Sequence, residues 1–196
     1  MGPCRFAGDP TVVQLDSRGW RILREGIVSR TQLQRASGLF VVFVCTGNTC
    51  RSPMAEAFLK RDLSRRLGCD PDKLPDHGFT VASAGLAAYQ GAPASPEAVS
   101  LAAEYGCDLS AHTSQPLTAD LLQQADYLFT MTGRHAEFIL SEHPEFAAKV
   151  RTLDAAGQDI TDPIGAGPAE YRRCAEQIRR ALAPLADMLL REHAGR

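Results

Sequence analysis

A cysteine and an arginine with a defined spacing are the residues of this sequence best suited to chemistry. Cys45 and Arg51 are separated by five residues in the segment CTGNTCR, and Ser52 follows directly. A cysteine thiolate is a nucleophile, and the planar guanidinium of arginine can hold two oxygens of a tetrahedral oxyanion. A loop of this length can also wrap such an anion with its backbone N–H groups. The pattern therefore predicts phosphoryl transfer to Cys45, with Arg51 holding the phosphate.

The elements on either side of this segment are predicted to position it as an anion site. Residues 39–44 are six consecutive apolar residues, which is typical of a strand buried on both faces of a parallel sheet. Downstream, Ser52 is predicted as a helix N-cap and Pro53 as the first helical residue. A strand, a short loop and a helix N-terminus direct N–H groups and the positive end of the helix dipole at one point. Together with Arg51, these groups favour the thiolate form of Cys45.

Two more residues of the loop, Asn48 and Cys50, have properties that bear on its conformation and its redox chemistry. Asn48 tolerates a left-handed backbone better than most residues, and a loop that wraps an anion needs such a turn. Cys50 lies five residues after Cys45, and the two thiols can form a reversible disulfide on oxidation. The alternative is that Cys50 is a small packed side chain, and the sequence leaves both readings open.

The segment CTGNTCRSPMAE resembles the phosphate loop of the low-molecular-weight protein phosphatases. The resemblance continues, in the family's order, with VASAG at 81–85, ADYLFTMT at 125–132 and DPIG at 162–165. It covers about residues 39–190, most of the chain. It implies four parallel strands in the order 2-1-3-4 with helices on both faces.

The alternation of elements along the chain indicates the same fold class without the resemblance. After residue 38, predicted strands alternate with predicted helices, the strands at 39–44, 79–82, 127–131 and 149–153. This alternation is typical of an α/β, doubly wound fold, in which ligands bind at the carboxyl ends of the strands. Cys45 lies at such an end.

The resemblance also implies the roles of the residues in the loop and after the last strand. Cys45 corresponds to the nucleophile, Arg51 to the phosphate clamp, and Asp162, in an Asp-Pro pair, to the general acid. Two other acids of that last loop, Asp154 and Asp159, lack the following proline. The implied phosphate-binding residues are Thr46, Gly47, Asn48, Thr49, Cys50, Arg51 and Ser52. The implied reaction uses neither a metal nor a cofactor.

Three residues are implied to support the loop. Ser52 corresponds to a residue that hydrogen-bonds the thiolate, and Ser83 and His112 correspond to residues that hold Asn48. A helix-cap or turn role is the alternative for Ser83 and His112.

Thr49 bears on the choice of substrate. Tyrosine-directed members of the family usually carry a larger apolar residue at this position, and threonine resembles the protein-arginine phosphatase branch. The stretch HTSQPL, which starts at His112, also departs from the basic-rich stretch of many tyrosine-directed members. Ile164 departs from the arginine branch, which usually has an aromatic residue after the Asp-Pro pair. We therefore predict a phosphatase acting on phosphoarginine in proteins, with a protein-tyrosine phosphatase as the alternative.

Two other classes of function fit the sequence less well. A thioredoxin-linked arsenate reductase on this scaffold needs two further cysteines close together, and Cys69, Cys107 and Cys174 are far apart in the sequence. A non-catalytic binder of phosphorylated residues has no need of the complete set of Cys45, Arg51 and Asp162.

Several residues outside the motifs are expected to be structural. Residues 70–78, which contain two prolines, are predicted to form a loop. Pro184 is expected to kink or split the last helix, and Tyr171 is expected in the core. Three histidines are expected on the surface: His135, His143 and His193.

Residues 1–38 are predicted to be an extension of a phosphatase domain at 39–196. Apolar runs at 11–15 and 20–23 around a polar turn predict a two-stranded hairpin, and residues 32–37 a linker or short helix. Residues 9–30 also resemble the last strands of threonylcarbamoyl-adenylate synthase domains; an unrelated extension is the alternative.

The composition and charge of the chain bear on its cellular location and its binding partners. The chain has 196 residues and a formal net charge of −2, which gives no strong electrostatic case for binding nucleic acid or an anionic membrane. The N-terminus has no apolar signal region, so a cytoplasmic location is expected. Most of the six scattered cysteines are then expected to be free thiols. The expected partner is a phosphorylated protein, and the sequence does not indicate an oligomeric state.

Overall fold

Strands and helices alternate through most of the chain. A computed structural model describes residues 8–16 and 19–195. The strands are β1 (Val12–Asp16), β2 (Gly19–Arg24), β3 (Leu39–Cys45), β4 (Phe79–Gly85), β5 (Tyr127–Thr130) and β6 (Val150–Thr152). The helices are α1 (Arg30–Ser37), α2 (Arg51–Leu67), α3 (Pro96–Glu104), α4 (Ala119–Gln124), α5 (Gly133–Glu142) and α6 (Pro168–Ala194). No helix in the described ranges combines the length and the hydropathy that a membrane span requires.

Four of the strands form a parallel sheet with β3 inside it. The order is β4-β3-β5-β6, which is 2-1-3-4 when these four strands are numbered along the chain. The predicted α/β fold is therefore confirmed. On one side β3 pairs with β4 from Leu39↔Phe79 to Cys45↔Gly85, and on the other it pairs with β5. Because both of its edges are bonded, β3 ends at a fixed place in the sheet.

Alternate side chains of β3 enter two separate cores, one on each face of the sheet. The odd-numbered residues from 39 to 43 pack with α2, α3 and α6. The even-numbered residues from 40 to 44 pack with α4 and α5. All seven residues of β3 are buried. The unbroken apolar run that predicted the strand follows from this two-sided burial.

Helix α2 begins earlier than the sequence predicts, and Ser52 is not its N-cap. The helix starts at Arg51, and Cys50, in the N-cap position, makes no side-chain cap hydrogen bond. The prediction is wrong because the Ser52 hydroxyl bonds the preceding loop instead. At the other end, Gly68 terminates the helix in the left-handed conformation, with φ 67°.

The prediction of a loop at 70–78 is wrong, and the last helix is not split at Pro184. The segment 70–78 contains a 3-10 helix, Pro71–His77, which accepts a proline at its first position. Helix α6 runs through Pro184 for 27 residues without a break. Leu182 and Leu185 are buried on either side of Pro184, so the two halves of the helix pack on the same core.

The N-terminal extension is a hairpin followed by a helix. Strands β1 and β2 are antiparallel as predicted, although residues 17–18 of the predicted turn lie outside the described residues. The segment predicted as a linker or short helix belongs to α1, which a capping box at Ser29 begins. The Trp20 indole N–H donates to Ser37 Oγ at 2.9 Å, and the Gln34 amide donates to Asp76 at 2.7 Å. The division of the chain after residue 38 stays a proposal.

We predict that a chain starting at Ser37 folds and keeps its activity, because the extension contributes no strand to the four-stranded sheet. The free energy of unfolding should fall by about 1–3 kcal/mol through the loss of the Trp20 and Gln34 hydrogen bonds. Urea denaturation followed by circular dichroism, with a phosphate-ester hydrolysis assay, measures both. A truncated chain that folds but is inactive would contradict the prediction.

Candidate active site

The site is built where β3 ends and α2 begins. Cys45 is the last residue of β3, and Arg51 is the first residue of α2. Between them the backbone turns back through Asn48, which has φ 55° and is the one non-glycine residue with positive φ in the described ranges. This is the left-handed turn that the sequence predicts for Asn48. The loop therefore curves around the thiol rather than leading away from it.

Two polar groups lie next to the thiol. Cys45 Sγ is 3.0 Å from Ser52 Oγ, and the Asn48 backbone N–H donates to the sulfur at 3.3 Å. Cys45 is only 3% exposed. The sulfur also lies close to the N-terminus of α2, whose dipole favours negative charge. These contacts fix the position of the sulfur at the start of the loop, and the contact with Ser52 is the one that the family resemblance implies.

The buried side chain of Asn48 ties the loop to the sheet. Its amide donates to Ser52 Oγ at 2.9 Å and to Ser83 Oγ at 2.8 Å. Its carbonyl oxygen accepts from the Gln115 backbone N–H at 2.9 Å. The Asn48 backbone carbonyl lies 2.8 Å from His112 Nε2. Ser83 and His112 are therefore where the resemblance places them, and Gln115 is an additional contact that the sequence did not indicate.

Arg51 and Asp162 form an ion pair across the site. The guanidinium of Arg51 contacts the Asp162 carboxylate and also donates to the Ile160 carbonyl at 3.5 Å. The Arg51 side chain is 6% exposed, whereas that of Asp162 is 45% exposed. The predicted anion clamp and the predicted general acid are thus in contact, with the acid on the solvent side.

Cys50 and Thr49 differ in their environments. Cys50 is buried, and its sulfur contacts Ser95 Oγ at 3.3 Å and the Tyr171 hydroxyl at 3.4 Å. Thr49 is partly exposed, and its carbonyl accepts from the Ser95 backbone N–H at 2.9 Å. Burial, followed by the hydrogen bond to Cys50, raises the pKa of Tyr171 to about 12. Tyr171 is in the core, as expected, and its phenol is protonated at neutral pH.

Exposed apolar side chains stand on two segments next to the site. The segment after β4 is bonded to the loop, because the Ala87 N–H donates to the Thr46 carbonyl at 2.9 Å. That segment carries Tyr89, which is 87% exposed, and Ile164, two residues after Asp162, is 68% exposed. Both side chains are available to a ligand that approaches the loop.

His135 contacts the loop, and its predicted surface position is wrong. It is 8% exposed, with Nε2 3.0 Å from Thr46 Oγ1 and Nδ1 3.0 Å from Thr132 Oγ1. Burial and, next, the charge of Arg51 hold its pKa below the ordinary value, although Asp159 and Asp162 oppose this. One signal was available in the sequence: His135 closely follows β5, whose carboxyl end must lie beside that of β3 in a parallel sheet.

Known proteins of similar sequence are protein phosphatases. The sequence profile described as "Low molecular weight phosphotyrosine protein phosphatase" matches residues 40–194. A protein-arginine-phosphatase of Bacillus subtilis is 35% identical over 156 residues, which are 78% of this chain and 97% of that protein. A probable low molecular weight protein-tyrosine-phosphatase, EpsP, of Ralstonia nicotianae is 36% identical over 143 residues, which are 72% of this chain and 90% of that protein.

A solved protein structure is similar to this chain in fold as well as in sequence. The YwlE arginine phosphatase from Geobacillus stearothermophilus has a TM-score of 0.70 and 33% identity, and the match covers 80% of this chain and 96% of that one. The profile match begins at residue 40 and gives no support to the resemblance of residues 9–30 to threonylcarbamoyl-adenylate synthase domains, which stays a prediction.

We predict that stability depends on pH through His135. Because its pKa is lowered in the folded state, its neutral ring contributes stability that is fully present above about pH 6.5 and is lost as the pH falls through the lower folded value. His135→Gln should therefore lose less free energy of unfolding than the wild type between pH 8 and pH 5.

Urea denaturation at several pH values measures this difference. An identical dependence for the wild type and His135→Gln would show that the ring does not titrate with folding.

Proposed function

The chain belongs to the low molecular weight phosphotyrosine protein phosphatase family, and from this we propose that it hydrolyses phosphoarginine in proteins through a cysteinyl-phosphate intermediate. Membership makes it a hydrolase of phosphorylated proteins; the residue it acts on and the roles of the site residues are our proposal. The observation that carries the mechanism is the Arg51–Asp162 ion pair, which brings the acid candidate to the phosphate clamp beside Cys45.

In the first half of the reaction the thiolate of Cys45 attacks phosphorus. The S–P bond forms while the P–N bond to the substrate guanidinium breaks. Arg51 and the N–H groups of the loop hold the three other phosphate oxygens, whose negative charge they balance. Asp162 gives its proton to the departing nitrogen.

In the second half Asp162 acts as the base. It takes a proton from a water molecule, which attacks phosphorus and breaks the S–P bond. Inorganic phosphate leaves and the Cys45 thiolate is restored. Asp162 releases the proton to solvent when its carboxylate pairs with Arg51 again. Ser52 and the Asn48 N–H, both within hydrogen-bond distance of the sulfur, stabilise the thiolate as a leaving group.

The ion pair also implies an order of events. While Arg51 is bound to the Asp162 carboxylate, its guanidinium is not free to grip a phosphate with both arms. An arriving phosphoryl group competes for Arg51. The displaced Asp162 carboxylate takes up a proton from solvent and turns toward the leaving atom. Its 45% exposure leaves it room to move.

The environment of Thr49 supports phosphoarginine as the substrate. Thr49 is partly exposed and offers a hydroxyl beside the loop, where a larger apolar residue would offer hydrocarbon. A guanidinium needs hydrogen-bond acceptors, and the Asp162 carboxylate is a second one near the same loop. The relatives include a protein-arginine-phosphatase, to which this chain is 35% identical.

Phosphotyrosine is the second candidate substrate. Ile164 is 68% exposed on the Asp162 loop, and Tyr89 is exposed on the segment bonded to Thr46. Such apolar surface suits a phenyl ring better than a guanidinium. Relatives that carry tyrosine-phosphatase names, such as EpsP, agree with this alternative.

Arsenate reduction is disfavoured by the state of the remaining cysteines. Cys174 is fully buried, and burial raises the pKa of its thiol to about 12, so it is a poor attacking group at neutral pH. The five cysteines in the described ranges are free thiols, and Cys4 lies outside them. The contacts of Cys50 with Ser95 and Tyr171 favour a packed role in the reduced protein, and its disulfide with Cys45 stays a prediction.

We predict that Asp162→Asn slows hydrolysis of phosphoarginine by about 10²–10⁴-fold, because an amide cannot supply the proton. Hydrolysis of an activated aryl phosphate, whose leaving group needs little protonation, should slow much less. Steady-state rates on the two substrates give the comparison, with Cys45→Ser as the inactive baseline. Asp154→Asn, an acid of the same loop, is the matched control; equal losses on both substrates would rule out Asp162 as the donor.

We predict that the wild-type enzyme prefers phosphoarginine and that Thr49→Ile shifts the preference toward phosphotyrosine. Replacing a hydroxyl by hydrocarbon beside the substrate should change the ratio of kcat/KM by roughly 10–200-fold. The measurement uses peptides of one sequence that carry either phosphorylated residue. A wild-type ratio in favour of phosphotyrosine would place this protein among the tyrosine-directed members, without affecting the cysteine mechanism.

A further inference from the structure

A small pocket between α2 and α6 is lined by four arginines. Its volume is about 170 Å³, and its lining includes Phe58, Arg61, Asp62, Arg65, Arg66 and Arg179. Arg179 comes from α6 and the other five residues from α2. Four arginines face one aspartate, so the lining carries an excess of three positive charges. We call this cavity the arginine pocket.

Most of this charge has no carboxylate partner. Arg66 pairs with Asp62 at 2.9 Å and also with Asp187. Within residues 8–16 and 19–195, no ion pair is formed by Arg61, Arg65 or Arg179. Three cations at one cavity repel one another, and an anion between them would relieve that repulsion.

Two of these cations lie next to the segment 105–107. The guanidinium of Arg179 lies 4.5 Å from the centre of the Tyr105 ring, in a cation–π contact. Phe58, which also lines the pocket, packs edge-on against Tyr105 at 5.4 Å. Burial raises the pKa of Cys107, and the charges of Arg61 and Arg179 both oppose the rise, which indicates that both cations lie near this thiol.

The helix dipole explains only part of the cluster. Arg65 and Arg66 lie in the last turn of α2, where positive charge is favourable without any ligand. Arg61 lies a turn earlier, and Arg179 belongs to another helix. Stabilisation of the C-terminus of α2 therefore does not explain the positions of Arg61 and Arg179.

We propose that the arginine pocket binds a compact phosphate-type anion. Guanidinium groups present planar pairs of N–H donors that match phosphate oxygens. The volume of about 170 Å³ is below the roughly 300–1,000 Å³ of pockets for drug-sized ligands, so the anion is small. Arg61 lies ten residues along α2 from Arg51, or about 15 Å, so the pocket is separate from the phosphate loop.

Titration calorimetry with inorganic pyrophosphate at low ionic strength tests the proposal. We expect the wild-type full chain to bind one more pyrophosphate than the variant with Arg61→Gln and Arg65→Gln, or to bind it at least about tenfold more tightly at that site. Arg179→Gln removes a cation from the other wall and should weaken the same site. Thermal unfolding by circular dichroism checks that each variant is folded.

The matched control carries Arg173→Gln and Arg180→Gln, two exposed arginines of α6 outside the pocket, and loses the same charge. It should keep the wild-type stoichiometry and affinity. The proposal is overturned if the wild type binds no pyrophosphate beyond what the pocket variants bind, or if the control loses binding equally. Since pyrophosphate binding is measured without turnover, the result does not depend on the proposed phosphatase mechanism.

Discussion

The left-handed turn at Asn48 is the constraint on which the site depends. A non-glycine residue pays an energetic penalty of about 1 kcal/mol or more in this conformation, so it persists only where its surroundings fix it. Here the fully buried side chain bonds Ser52, Ser83 and the Gln115 backbone, and the Asn48 carbonyl contacts His112. The turn directs the Asn48 N–H back at the Cys45 sulfur. A single residue therefore links the shape of the loop to the state of the thiol.

Burial keeps several titratable side chains near the loop uncharged. Burial favours the neutral form of His135, Tyr171 and Cys174, in each case by opposing the charged state. Arg51 and Asp162 form an ion pair beside the loop, and Asp159 is close enough to act on His135. An incoming dianion thus meets a positive guanidinium and a displaceable carboxylate, without a further fixed charge from those three side chains.

Relatives of similar sequence are named for two different substrates. In this chain Thr49 lies at the loop, and the exposed side chains of Tyr89 and Ile164 lie beside it. Although the net charge of the chain is −2, the arginine pocket is positively charged, and it lies on a part of α2 away from the phosphate loop. Net charge describes the whole surface and not its individual sites.

The sequence by itself determined the elements that have strong local patterns. The apolar run 39–44 predicted a doubly buried strand, and Cys45 and Arg51 followed from their spacing around a strand, a loop and a helix start. Asn48 was predicted from its tolerance of positive φ. These features depend on neighbours in the chain, which is why the resemblance to a family and the residue types agreed on them.

Beyond the contacts that the family resemblance implies for Ser52, Ser83 and His112, only the tertiary structure decided which polar side chains meet. Ser52 fits an N-cap by sequence, but its hydroxyl bonds Cys45 and Asn48 because the loop folds back over it. His135 has an ordinary polar setting in sequence, yet the parallel pairing of β3 and β5 brings it to Thr46, 89 residues away. The arginine pocket requires two helices to pack together. Such contacts depend on the register and packing of distant elements, and no local pattern of residues specifies them.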